Sequence, residues 1–224
     1  MIDIENIDIC EPIRLGYAKI LYRNNDDIII HELRSHAIMM NVQNIQIIDR
    51  LIDQYQLWKY PLFDVKQKEC VDILVNKYHK TFQFACYQAV YTFQTKINYY
   101  LPPNVTIHQL SYKHKHLIYQ NYKLMEHDYI DDRINKGHLW GLFEDHHLAG
   151  FIGIHDEGSM GMLEILPSFR HKGYGTLLES YLINYFLEQG WIPYCQVLPH
   201  NKASLNLQKK LGLAISNQLS YWLF

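Results

Sequence analysis

The stretch FRHKGYG, at residues 169–175, decides the fold that this sequence predicts. Three basic side chains at 170–172 lead into Gly-Tyr-Gly at 173–175, and a helix-like run, TLLESYLINYFLEQ, follows. The N–H groups at a helix N-terminus bind anions, and glycines let a phosphate approach without a Cβ in the way. Because a strand-like run ending at Pro167 precedes the stretch, we expect a strand–loop–helix unit that can hold a pyrophosphate.

Other phosphate-binding loops fit this stretch less well. A dinucleotide-binding fingerprint needs G-x-G-x-x-G near the start of a βαβ unit, and a P-loop needs G-K-[ST]. Neither pattern occurs in these seven residues. An ordinary helix start with a solvated basic face also explains the stretch taken alone, so its context in the chain has to decide.

Strand-like and helix-like segments alternate along the rest of the chain. The first hundred residues predict a hairpin around 24–27, helices at 45–55 and 64–78, and a strand at 82–94. The paired prolines at 102 and 103 resist helix and central strand alike, so we place a linker at 101–104. Beyond the linker the patterns predict helices between strands at 105–110, 138–144, 148–155, 160–166, 192–198 and 220–224.

Two motifs in register identify the C-terminal half. LEILPSFRHKGYGTLLESYL and, one strand later, NKASLNLQKKLGL resemble the GNAT superfamily of acyl-CoA-dependent N-acyltransferases, whose [QR]-x-x-G-x-[GA] loop matches residues 170–175. The resemblance covers about 104–224 and implies an α/β (α+β) fold with a mixed, mainly antiparallel sheet flanked by helices. We therefore expect a GNAT N-acetyltransferase domain at 104–224. The lobe at 1–101 carries no motif, and its element order suits a degenerate GNAT-like half, as in glycine N-acyltransferase-like proteins.

The resemblance also implies where acetyl-CoA binds as co-substrate, without a metal. The main chain of Leu163 and Ile165 would pair with the pantetheine arm, and an N–H near Ile165 or Leu166 would polarise the thioester carbonyl. Asn201 would hydrogen-bond the pantetheine or adenine side, although it could simply cap a helix. The remaining cofactor-binding residues that the resemblance implies are Arg170, His171, Lys172, Gly173, Tyr174, Gly175, Thr176 and Ser204.

The catalytic residues are less well specified. Gln208 stands where such families often place a tyrosine acid, and an amide can hydrogen-bond to the sulfur or carbonyl but cannot protonate a thiolate. Tyr194 or Tyr221 could substitute for it, or simply pack. For a base, Glu164 is the first candidate and His155 the second. A structural charge or hydrogen-bond partner is the alternative role for both side chains.

Composition limits the partners. Lys and Arg number 21 against 23 Asp and Glu, a net charge of −2, so no basic field points to nucleic acid, and no apolar run reaches membrane-spanning length. The acidic, interrupted start is unlike a secretory signal, and the 4 cysteines are widely separated, so we expect a cytoplasmic protein with reduced thiols. The 13 histidines have no metal-ligand spacing. The terminal strand at 220–224 could pair two chains as a homodimer or complete its own sheet.

The function predicted from these residues is acetyl transfer from acetyl-CoA to a primary amine of a small molecule or peptide. A non-catalytic acyl-CoA-binding sensor or subunit is the alternative, which Gln208 favours. A third possibility is phosphate binding by an unrelated α/β fold, which would accept other nucleotides as readily as CoA.

Overall fold

The computed structural model describes residues 2–224. Its helices, in chain order, are α1 Ile7–Leu15, α2 Ile45–Gln54, α3 Lys68–Asn76, α4 Lys115–Asn121, α5 His127–Asn135, α6 Tyr174–Glu188 and α7 Lys202–Leu211. Its strands are β1 Ala18–Asn24, β2 Asp27–Glu32, β3 Ile38–Asn41, β4 Phe63–Val65, β5 Phe82–Val90, β6 Val105–Gln109, β7 Leu139–Glu144, β8 His147–Ile154, β9 Met160–Ile165, β10 Tyr194–Val197 and β11 Ala214–Leu223. This order confirms the predicted mixed α/β class and places a helix directly after the glycine loop.

Several elements of the N-terminal half differ from the prediction, and β3 was not predicted at all. Helix α1 was not expected, because Pro12 lies inside it and its apolar residues are few. The helix predicted at 64–78 begins only at Lys68. Asp64 instead lies in β4, where it pairs with Met39 of β3 and with Trp222 of β11. Pairing on both edges holds this short, fully buried segment in a strand that its own sequence does not reveal.

Contacts divide the chain into two compact units, and the first contains Met1–Val90, Gln196–Lys209 and Leu213–Phe224. Its strands lie in the order β1-β2-β3-β4-β11-β5, antiparallel except for the β3–β4 pair. Helices α2 and α3 pack on this sheet through Ile48, Leu51 and Leu74. Because β11 pairs with β4 and β5, the terminal strand completes its own sheet. The domain boundary at 101–104 stays a prediction.

A polar cluster is buried inside this first unit. The ammonium of Lys66 hydrogen-bonds to Asp8, to Ser220 at 2.5 Å and to Asp64 at 3.4 Å. Gln88 donates to Asp8 at 2.6 Å. Two carboxyl groups thus surround one ammonium, and Oδ1 of both aspartates is buried without a partner among residues 2–224. Burial raises the pKa of Asp64 well above its usual range against the opposing effect of Lys66, and the nearby Asp8 raises it further.

The second unit contains Tyr91–Cys195 and Lys210–Gly212. Its strands lie in the order β10-β9-β8-β7-β6, antiparallel except for the parallel pair β10–β9. Helices α4 and α5 cover the sheet through Ile118 and Ile130, which pack with Phe151 and Met162. Helix α6 packs against β7, β8 and β9. Within the described part of the chain, no helix has both the length and the apolar character of a membrane span.

Candidate active site

Strand β9 carries a β-bulge in its middle. Gly153 of β8 faces Gly161, and Phe151 faces Glu164, so β8 advances two residues while β9 advances three. Met162 takes up the extra residue with φ of 53°, in the left-handed region that side-chain-bearing residues seldom adopt. Bulges of this kind disrupt the ladder and re-aim the groups beside them.

The ladder also determines which main-chain groups of β9 face away from β8. The N–H of Leu166 donates to Ala149 O at 2.9 Å, so it is committed to the β8 side. Because successive residues of an antiparallel strand turn their N–H and C=O groups to opposite edges, Leu163 and Ile165 present theirs to the other edge. This edge is the one that faces β10. Among the residues described, the only register pair between β9 and β10 joins Met160 to Cys195.

The guanidinium of Arg170 lies over this edge of β9. Its Nε donates to Ile165 O at 2.9 Å, and its Nη2 donates to Glu164 at 3.0 Å. The structure therefore brings three predicted site residues together. Glu164 also acts on Tyr122, whose phenol pKa is raised to about 12 by burial and then by this carboxylate. Glu164 thus has the structural partner that was the alternative to a catalytic role.

The loop after β9 opens helix α6 with its first N–H groups uncapped. His171 and Gly173 are left-handed, with φ of 65° and 81°. No side chain caps the N-terminus of α6, whose first N–H groups have no partner within a helix. A Cβ placed on Gly173 would meet nothing within 4 Å. The loop thus presents uncapped main-chain donors with open space beside Gly173, an arrangement that can bind anions.

Glu144, at the end of β7, organises the basic side of this loop. It accepts a hydrogen bond from Lys172 Nζ at 2.6 Å and another from Tyr174 Oη at 2.6 Å. These two bonds lower the pKa of Glu144, with Lys172 the larger cause. Burial and then Glu144 raise the pKa of Tyr174 to about 12. Lys210 Nζ donates to Thr176 Oγ1 at 3.3 Å and adds a further positive charge.

Glu144 and Lys210 were not predicted as site residues. Each lies about thirty residues from its partner in the chain. Glu144 belongs to no motif, and Lys210, although it lies within the motif at 201–213, was given no role there. Only the pairing of β7 in the sheet and the end of α7 bring them to the loop. A sequence scan for basic residues would have found Lys210 as one of many solvated lysines.

Three predicted residues lie in the first unit. Oδ1 of Asn201 accepts a hydrogen bond from the N–H of Ser204 at 3.1 Å, so Asn201 caps the start of α7. The structure thus shows the helix-capping role that the sequence left open as an alternative for Asn201. Gln208 is 2% exposed, and its Oε1 is buried without a partner among residues 2–224. Such an orphaned acceptor costs free energy unless a donor reaches it.

The loop residues fit a pyrophosphate. The uncapped start of α6, the empty space at Gly173 and the side chains of Arg170 and Lys172, 53% and 44% exposed, supply what a doubly charged anion needs. A metal is not required by this donor set. Across the residues that the structure describes, no three His, Cys, Asp or Glu side chains form a group suited to a metal ion.

Comparison with known proteins agrees with this geometry. Residues 104–213 match the Acetyltransferase (GNAT) family. No curated protein matches the sequence. The family uses acetyl-CoA as a co-substrate, and its match spans the bulged strand, the glycine loop and helix α7.

Solved structures extend the likeness over the whole chain. An X-ray structure of a Drosophila protein is 16% identical, with 88% of this chain and 73% of that chain covered and a TM-score of 0.69. A GCN5-related N-acetyltransferase from Kribbella flavida is 9% identical, covers 100% and 95%, and has a TM-score of 0.63. A tandem GNAT protein from the clavulanic acid biosynthesis pathway is 9% identical, covers 98% and 87%, and has a TM-score of 0.52. At these identities the likeness shows the fold, and the glycine N-acyltransferase-like relationship of residues 1–101 stays a prediction.

Proposed function

Because residues 104–213 form a GNAT acetyltransferase domain, we propose that the protein transfers an acetyl group from acetyl-CoA to a primary amine. The acceptor is a small molecule or a peptide. The observation that carries the proposal is the arrangement at β9. A bulged strand, whose β10-facing edge has no register pair beyond Met160–Cys195 among the described residues, leads through a loop to an uncapped helix N-terminus that begins with glycine. A long thioester with a pyrophosphate at its other end matches both features at once.

The main chain does most of the binding in this proposal. The N–H groups from Arg170 to Thr176 hold the pyrophosphate, and Leu163 and Ile165 pair with the pantetheine amides through the edge that faces away from β8. Cofactor binding therefore displaces Arg170 from Ile165 O. Asn201 and Ser204 remain proposed contacts of the pantetheine or adenine side.

The bulge narrows the choice of oxyanion donor. Leu166 is a poor candidate, since its N–H is already bonded to Ala149. We assign the role to the N–H of Leu163, directly after the strained Met162. A preorganised donor of this kind is worth roughly 3–4 kcal/mol in the transition state. The polarised carbonyl carbon is then open to attack by the amine.

Proton transfer completes the reaction. The amine nitrogen bonds to the acetyl carbon, the carbon–sulfur bond breaks, and the amine loses the proton that the departing thiolate gains in the end. Glu164 is the proposed base, directly or through water, once Arg170 turns to the phosphates. The amide of Gln208 has no acidic proton to give to the departing thiolate.

The competing proposal is a sensor that binds acyl-CoA without turnover. The buried, orphaned Oε1 of Gln208 favours it, because no acid stands at that position. The two proposals share the binding loop and differ only in thiol release.

Calorimetric titration with acetyl-CoA, with ATP and NAD as controls, tests the cofactor binding that both proposals share. Selective binding of acetyl-CoA supports the loop assignment, and equal binding of the three points to an unrelated phosphate site. A screen of primary amines for thiol release then separates enzyme from sensor. Binding without release for spermidine, lysine, an N-terminal amine peptide and an aromatic amine would favour the sensor.

A further inference from the structure

His155 is held against the bulged strand by a partly buried tyrosine, Tyr129. Its Nδ1 lies 2.9 Å from Tyr129 Oη, and the N–H of Asp156 donates to the same phenol oxygen at 3.2 Å. A Cβ on Gly161 would lie 2.5 Å from Cδ2 of the imidazole and closer still to Nε2. The ring therefore occupies the space that the missing side chain leaves, flat on the main chain one residue before the bulge.

These contacts bear on which nitrogen carries the proton. The phenol oxygen accepts from the N–H of Asp156, and its own hydrogen can be donated to Nδ1, which lies within hydrogen-bond distance. Burial, and then Glu157 and Asp156, raise the pKa of Tyr129, so the phenol keeps this hydrogen at any working pH. Arg133 stacks on the same phenol ring. With Nδ1 as the acceptor, the neutral imidazole carries its hydrogen on Nε2. In this tautomer, His155 is a donor toward β9 and not a base.

The position of this donor relative to a bound thioester follows from the proposed function, on which the inference rests. A ligand that enters at the loop 170–175 and pairs with Ile165 and then Leu163 runs along β9 toward Met160. Met160 pairs with Cys195, so the part of the β9 edge that has no strand partner ends there. The far end of the ligand, its acetyl group, therefore lies beside Gly161, where Nε2 of His155 is.

We propose that His155 donates Nε2–H to the thioester carbonyl oxygen, as a second oxyanion donor beside the N–H of Leu163, and that Tyr129 is the positioning residue that fixes its tautomer. The role suits this chain because Gln208 provides no acid, so more of the catalysis has to come from polarising the carbonyl.

The test uses acetyl-CoA labelled with ¹³C at the carbonyl and the full chain. In the wild type, we expect the carbonyl resonance of the bound label to move downfield of the free label. His155→Gln places an amide N–H near the position of Nε2 and should retain most of this shift. His155→Ala should lose most of it, while calorimetry shows an affinity for acetyl-CoA within about threefold of wild type. A merely structural role for His155 would not distinguish the two variants in this way.

Equal carbonyl shifts in the wild type and His155→Ala would overturn the proposal, as would loss of the shift in both variants. If His155→Ala does not fold, Tyr129→Phe provides the second measurement. It removes the hydroxyl that fixes the tautomer and should diminish the shift with binding retained, and an unchanged shift counts against the assignment. Failure of the wild type to bind acetyl-CoA is a different result, because it removes the proposed function itself. With an active amine in hand, kcat of His155→Ala should fall about 10²–10³-fold, the range for loss of one oxyanion donor.

Discussion

Gly173→Ala separates the binding role of the glycine loop from its contribution to stability. Gly173 has φ of 81° and open space where a Cβ would stand, so alanine meets no clash in the free protein. Its cost is the left-handed backbone alone, about 1–2 kcal/mol. At roughly 2–4 °C per kcal/mol for a chain of this size, the melting temperature should fall by about 2–8 °C.

The affinity for acetyl-CoA should fall much more than the stability of the fold does. The added methyl group stands where a phosphate must approach the first N–H groups of α6. Loss of one charge-assisted hydrogen bond costs about 1.5–3 kcal/mol, which raises the dissociation constant roughly 10- to 150-fold. Calorimetry measures this constant, and a thermal melt of the same sample measures the stability.

Gly190 provides a matched control at the other end of the same helix. It has φ of 70° and likewise nothing within 4 Å of a Cβ, so Gly190→Ala carries the same backbone strain. We expect a similar drop in melting temperature with unchanged acetyl-CoA affinity. Equal losses of affinity in both variants, or unaltered binding in Gly173→Ala, would refute the assignment of the loop.

Three further predictions concern charged groups. Glu144→Gln frees Lys172 from its ion pair, so acetyl-CoA should bind several-fold tighter at low salt, and calorimetry showing weaker binding would contradict this. Glu164→Gln should abolish thiol release yet leave acetyl-CoA affinity within about threefold, and normal turnover would remove Glu164 as the base. In the buried cluster, Asp8→Asn removes a carboxylate from the ammonium of Lys66 and should cost about 3–5 kcal/mol, whereas Asp64→Asn replaces a carboxyl whose pKa burial raises well above its usual range. Because its pKa is raised in the fold, Asp64 makes the wild type less stable as pH rises above the usual aspartate range. Urea unfolding across this pH range should therefore show a flatter decline in stability for Asp64→Asn. A larger loss of stability for Asp64→Asn than for Asp8→Asn would contradict the raised pKa.

Local patterns predicted most of the elements but not all of them. Helix α6 follows from consecutive residues, because glycines, an apolar repeat and the terminating Gly190 lie next to one another. Strand β4 could not be predicted, since its three residues are held by two partner strands from distant parts of the sequence. Helix α1 was missed for a related reason: it is stabilised by burial of Ile7 and Ile9 more than by its own periodicity.

The sequence by itself predicted the kind of site, because anion binding at a helix N-terminus depends on residues adjacent in the chain, here 170–176. It also predicted the proposed role of Leu163 and Ile165, because strand alternation is local. Only the tertiary structure decided which side chains stand beside these residues. The contacts of Glu144 with Lys172 and of His155 with Tyr129 join residues 28 and 26 positions apart. Such pairs leave no periodic signal, since sheet pairing and helix packing bring them together after the local elements have formed.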